Sequence, residues 1–196
     1  MVENEISSGI KRADNGSIGE ARTKSFLIDR FWILERSVDI DGADFIIQRK
    51  LTNKTILDTV PPRFGIIQAK FSQDHRTWHS IRKQYVIDKN QNPHNEFFLI
   101  VNIGFEELQQ MCLLSAKDIV ENSSVYDADM FKISTSKIID KFLIRNKKYA
   151  LDYIENGIQC AEFYKNRTLI FNKLHPIEPD FDAIHPDYKR DIAYCD

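Results

Sequence analysis

Apolar residues recur along this chain with two periods. From Gly16 onward Ile18, Ala21, Leu27, Ile28, Phe31 and Trp32 follow a helical stripe. The spacing predicts a helix there, after a polar, flexible start over residues 1–15. Glu20 and Lys24 are four apart on that helix, which sets Glu20 at the margin of its buried side. The pattern then shortens to period two. Residues 33–39 and 43–51 read as strands, the second rich in Phe and Ile. Pro61 and Pro62 cannot sit inside a ladder, so a third strand is expected only after them, over 63–71. Trp78, Ile81, Arg82 and Tyr85 lie on neighbouring turns of a helix predicted over 78–88. Residues 96–103 are apolar on both faces, the mark of a strand inside the sheet.

Beyond that strand the pattern predicts a short helical turn over 106–110, a strand over 111–114 and a helix opening at Ser115. A strand over 131–134 follows, then a helix over 137–144 capped by Thr135 or Ser136. Tyr149, Ala150, Tyr153, Ile154, Ile158 and Phe163 mark an amphipathic helix within 146–166. Pro176, Pro179 and Pro186 punctuate an irregular tail. The expected class is α/β (α+β): an αβββαβ core over 16–145 with a central mixed sheet flanked by helices. A C-terminal helical extension and tail occupy 146–196.

Composition narrows the picture. A chain of 196 residues, 42% hydrophobic with 13 Phe and 7 Tyr, fills one compact core. No apolar run reaches membrane-spanning length, and the N-terminus lacks the basic and apolar regions of a signal peptide. Cys112, Cys160 and Cys195 have no metal-like spacing, and an odd number argues against a disulfide framework. No membrane partner and a reducing, cytoplasmic setting are therefore expected, with Cys112 a core thiol. The net charge of -2 leans against a role that rests on coating DNA non-specifically. No Gly-rich loop ending in Lys-Ser/Thr is present, which argues against ATP hydrolysis.

The chemistry gathers on two strands. Alternation puts Asp44, Ile46 and Gln48 on one face and Ala43, Phe45 and Ile47 on the other. In the third strand Ile66, Gln68 and Lys70 share a face. If the two strands pair, Asp44 meets the Gln68/Lys70 end, and Glu20 approaches from the packed helix. Singly, these are ordinary residues: an Asp beside a Gly shapes turns, and Gln and Lys mark the wetter side of a strand. Together they form a constellation suited to phosphodiester hydrolysis. Mg2+ takes hard oxygen ligands at about 2.1 Å, which Asp44, the Gln68 carbonyl and Glu20 supply, with Mn2+ as a substitute. Lys70 orients the attacking water and stabilises charge on the phosphate.

These residues resemble the signature of the restriction-endonuclease-like, PD-(D/E)XK superfamily: a Glu in the first helix, an Asp opening the second strand and Glu-x-Lys in the third. Glu20, Asp44 and Gln68-Ala69-Lys70 occupy those places. Gln68 departs from the commoner Glu but is similar to the Gln-x-Lys version of Mrr-like nucleases. The chain also resembles a small bacterial family of domains of unknown function through Gly19-Glu20-Ala21-Arg22, Asp39 to Asp44, Ile67 to Lys70 and Leu114 to Ile119. The resemblance covers residues 16 to about 145. It implies metal-dependent cleavage of DNA, in its double-stranded form, in phage defence or a mobile element. It equally admits a catalytically inactive nucleic-acid-binding module, or a nuclease subunit needing a protein partner. A homodimer would supply the two scissions of duplex cleavage.

Arg76, Arg82, Lys83 and Gln84 form a polar, basic segment after the candidate site and are the expected nucleic-acid contacts; the alternative is an ordinary solvated helix with Trp78 packed inward. His75 and His79 are four apart, but no nearby Cys or Glu completes a zinc motif. Asp39 and Asp41 are expected to shape the turn before Asp44, and Arg22 to bind phosphate or pair with either Asp.

Overall fold

The computed structural model describes residues 8–34, 43–50, 63–125, 127–162 and 165–166. Asp39, Asp41, the first strand beyond Leu34 and the tail from Pro176 lie outside them. Helix α1 spans Ser8–Leu27 and so begins before Gly16, inside the segment expected to be irregular. It leads into a meander of β1 (Phe31–Leu34), β2 (Phe45–Arg49) and β3 (Phe64–Ser72), antiparallel throughout. A long crossover carries β4 (Trp78–Arg82) and the single turn α2 (Lys83–Val86) to β5 (Phe97–Ile103). β5 pairs parallel to β3, and β6 (Gln110–Ser115) returns antiparallel after a 3-10 turn over Glu106–Leu108. The central sheet is thus five-stranded and mixed, in the order β1-β2-β3-β5-β6.

Helices α3 (Ala116–Asn122), α4 (Thr135–Phe142) and α5 (Lys147–Cys160) complete the described chain. Between α3 and α4 run β7 (Ser124–Val125) and β8 (Met130–Ser134). β8 lies between β4 and β7 in a second, three-stranded sheet. Ser115 opens α3 with a capping box: its Oγ accepts from Asp118 N at 3.2 Å, and Ser115 N donates to Asp118 Oδ2 at 2.9 Å. α4 starts earlier than its pattern predicts. Its N-cap is Ser134, and the buried Thr135 donates its hydroxyl to Thr77 O at 3.0 Å.

The helix expected over 78–88 is a correction. Residues 78–82 alternate exposed and buried, with His79 and Ile81 inward, and pair with β8 residue by residue. A five-residue window with Trp, Ile and Ser fits either period. The ladder to β8, far along the chain, decides for the strand. Only Lys83–Val86 is helical.

Each face of the central sheet has its own core. On one face Ile46, Ile66, Leu99, Val101 and Leu114 pack against Ile81, Tyr85, Val86, Ile119, Phe131, Ile133 and Ile138, from the second sheet and α2–α4. On the other, Ile47, Ile67, Ala69, Phe98 and Ile100 pack against Phe26 and Leu27 of α1 and Leu151, Ile154 and Ile158 of α5. The protein is a mixed α/β fold whose central mixed sheet is flanked by helices. Among the described residues no helix is long and apolar enough to cross a membrane.

Arg30 Nη1 meets Asp152 Oδ1 at 2.6 Å and Glu155 Oε2 at 3.0 Å, pinning α5 to the start of β1. At Gly157 the helix comes so close that an added Cβ would lie 2.5 Å from Phe98 Cζ and 2.7 Å from Asn95 O. Gly157→Ala is therefore expected to destabilise the protein by about 1–2 kcal/mol. Overpacking outweighs the roughly 1 kcal/mol that alanine gains inside a helix. A urea midpoint at or above the wild-type value would contradict this.

Candidate functional site

β3 is buried along nearly its whole length, yet three residues on one of its faces are polar. Ile66, Gln68, Lys70 and Ser72 alternate with Ile67, Ala69 and Phe71, and Ile66 faces the second sheet. Gln68 retains 4% of its surface and Ser72 1%, while Lys70 is half-buried. In the parallel register these three sit beside Leu99, Val101 and Ile103 of β5. A polar row thus runs through an apolar layer, and each of its atoms needs a partner.

Asp44 joins the row through the backbone. β2 begins at Phe45, so Asp44 precedes the regular ladder. Its N–H donates to Ile67 O at 3.0 Å, and its Oδ2 accepts from Ala69 N at 2.6 Å. The carboxylate is therefore fixed on β3 at the residue between Gln68 and Lys70. The parity predicted for Ala43 fails here. Ala43 packs with Ile46 and Ile66 instead of with Phe45 and Ile47, because alternation does not extend past the end of the strand.

Glu20 lies in another layer. α1 packs on the face carrying Ala69 and Phe71, and Glu20 is exposed on it. The helix approaches β3 closely: a Cβ on Gly19 would lie 3.2 Å from Phe71 Cβ and 3.3 Å from the Lys70 carbonyl carbon. Asn102 of β5 holds the helix there, donating from Nδ2 to Gly19 O at 3.2 Å and Thr23 Oγ1 at 2.9 Å. Arg22 donates to Gly104 O at 2.7 Å and lies over the Phe71 ring. The structure thus gathers Asp44, Gln68 and Lys70, with Glu20 on the neighbouring helix.

A buried hydrogen-bonded chain beside Lys70 was not expected from the sequence. Ser72 Oγ is 2.7 Å from His79 Nε2 and 3.1 Å from Thr135 Oγ1. Thr135 gives its proton to Thr77 O, so Ser72 must donate to Thr135 and accept from His79. That count assigns the Nε2–H tautomer. Burial first, and then the Lys70 ammonium, push His79 down to about 4 from 6.5, so the ring is neutral at pH 7. His79 is a strand residue with its ring in the core, and His75 is exposed on the preceding turn. Period-two alternation through His79 and Ile81 was the one available signal. Cys112 is buried as expected, its thiol pushed up to about 12 by burial.

The expected nucleic-acid contacts are spread over the crossover. Arg76 is exposed on the turn after β3, and Arg82 is exposed at the end of β4. Lys83 opens α2 and its ammonium donates to Asp127 O and Ala128 O, both at 2.9 Å, while Gln84 is exposed beside it. They do not form one helical face. Trp78, inward only in the solvated-helix alternative, points outward with 48% of its surface exposed.

A divalent metal needs several donors converging on one point. Among the described residues no group of three His, Cys, Asp or Glu side chains is placed to hold one. The amide Gln68 stands outside that set, and its Oε1 is buried with no hydrogen-bond partner. An unanswered carbonyl oxygen beside a carboxylate is the hard, oxygen-only donor set that Mg2+ accepts. Both are oxygen donors of the type such an ion takes. Compared with known proteins, the chain matches no family model, no curated protein and no solved structure.

His79 gives this site a pH signature. With its folded value near 4 and its unfolded value near 6.5, the unfolded chain takes up the proton first as pH falls. The stability tied to the neutral ring is fully present above about pH 6.5. It falls by on the order of 3 kcal/mol between pH 6.5 and 4. Urea midpoints measured across that window should drop less steeply in His79→Gln than in wild type, and equal slopes would refute the assignment.

Proposed function

We propose that this protein is a Mg2+-dependent endodeoxyribonuclease of the restriction-endonuclease-like, PD-(D/E)XK type, centred on Asp44, Gln68 and Lys70. The observation that carries this reading is the convergence on β3. A carboxylate held at Ala69 lies between a buried amide with an unanswered oxygen and a lysine on the same strand. The order of α1, the β1–β3 meander and parallel β5 follows the αβββαβ core of that superfamily except at its second helix, whose place is taken by β4 and the single turn α2.

In this reading Asp44 and Gln68 would hold the ion. A bound Mg2+ would supply Lewis-acid activation of the phosphate and of the attacking water. Lys70 positions that water in line with the departing 3′-oxygen and counters charge growing on the phosphate. Ala69 N–H fixes the Asp44 carboxylate, so its orientation is set before substrate arrives. His79 keeps a second positive charge away from Lys70 by staying neutral. The substrate is DNA, double-stranded in the leading version, with a homodimer or a protein partner supplying the second scission.

A second reading, a catalytically silent nucleic-acid-binding module, draws on two observations. Gln68 is neutral where a charged ligand would bind metal more strongly, and Glu20 stands on the opposite layer. Supercoiled and linear DNA incubated with EDTA, Mg2+ or Mn2+ separates the two. Wild type should cleave only with metal. Asp44→Ala and Lys70→Ala should fall at least about a hundredfold while remaining folded, and Gln68→Glu should stay active. Cleavage at the wild-type rate by both alanine variants rejects the nuclease reading. Folded wild type that binds DNA without cutting it moves the assignment to the silent module.

A further inference from the structure

β4 has two sides, and only the inner one belongs to the site already described. His79 and Ile81 face the core, while Trp78, Ser80 and Arg82 face out. Trp78 is a large aromatic side chain left about half exposed on a sheet face. Next to it on the same face is the small, exposed Ser80, whose partner on β8 is Lys132. Two ammonium groups sit over the indole, Lys132 Nζ at 5.5 Å and Lys137 Nζ at 6.0 Å from the ring centre.

We propose that this outer face of the second sheet binds unpaired nucleic acid, with a base stacked on Trp78 and its flanking phosphates on Lys132 and Lys137. Three features of the face select that occupant. An exposed indole offers a π surface to any base, and base stacking on an aromatic contributes about 1–3 kcal/mol. The low relief at Ser80 leaves room for a planar group beside the ring. The two lysines supply the positive charge that a phosphate backbone requires, and a stacked base displaces them from the ring towards its own phosphates.

Charge also sets the docking direction. At the far end of β4 the loop bearing the exposed Asp127 and Asp129 lies against Lys83, where Lys83 N donates to Asp129 O at 2.8 Å. That end is mixed in sign and the Trp78 end is basic, so the nucleic acid engages at Trp78. A duplex is excluded as the main ligand because its base faces are already stacked. The inference goes beyond the cleavage reading and stands without it.

The test is fluorescence anisotropy of labelled oligo(dT), oligo(rU) and a duplex, titrated with the full chain in EDTA. Both single strands should bind more tightly than the duplex, and a difference between them tells DNA from RNA as the preferred source. Trp78→Ala should weaken single-strand binding about tenfold or more, Trp78→Phe should stay within about threefold, and Trp32→Ala should match wild type. The Lys132→Ala, Lys137→Ala double variant should lower the salt slope by about 1–1.5. Wild-type affinity in Trp78→Ala, no single-strand binding by wild type, or tighter binding to duplex would each overturn the proposal. So would a dimer in sedimentation that Trp78→Ala dissolves, since a second copy would then cover the face. Without metal the assay is blind to cleavage, so its failure and that of the Asp44/Lys70 reading are told apart.

Discussion

The parallel pairing of β3 with β5 is the constraint on which the rest of this structure depends. Seven residue pairs, from Ile66–Phe97 to Ser72–Ile103, lock the two most buried strands in register. A parallel pair requires a crossover, and here the crossover itself contributes β4 to a second sheet. With β3 covered on both faces, alternation directs Ile67 and Ala69 to the α1 and α5 side and Gln68 and Lys70 to the other. Slipping the register by one residue would bring Gln68 and Lys70 into the α1–α5 core, at the cost of burying an ammonium among Phe and Ile side chains.

That constraint explains why polar groups persist in the middle of the protein. Ser72 is answered by His79 and Thr135, and Thr135 in turn by Thr77, so that chain ends on a backbone carbonyl. Asp44 is answered by the Ala69 amide. Gln68 Oε1, like Asn102 Oδ1 and Arg63 Nε, is buried without a partner, and it lies two residues from a lysine. A folded chain tolerates such an atom at a cost of about 1–3 kcal/mol, which is a large fraction of ordinary stability. The protein carries that cost beside Asp44 and Lys70, the three residues of the proposed centre.

Much of the central sheet was legible because its signals are local. The apolar run 96–103, the Pro61-Pro62 barrier and the helical start at Ser115 are each marked without reference to any other part of the chain. β4 was not legible, since Trp78–Arg82 fits both periods and only its ladder to β8 decides. The proximity of Asp44 to the Gln68/Lys70 end followed from alternation in two paired strands. Its anchoring at Ala69 did not, because Asp44 lies just outside the ladder where alternation stops. The Ser72–His79–Thr135 chain draws one residue each from β3, β4 and the start of α4, and no window of sequence contains it.

The order of strands also sets a schedule for synthesis. β4 pairs with β8, and β8 follows both β5 and β6 along the chain. All five strands of the central sheet, with the row of Gln68, Lys70 and Ser72, are therefore made before Met130–Ser134. During that interval the row faces water, and His79 lacks Thr135 at the end of its hydrogen-bonded chain. The layer that dries this row is the last part of it to be made, so a chain stopped before Ser134 would hold the proposed centre open to solvent.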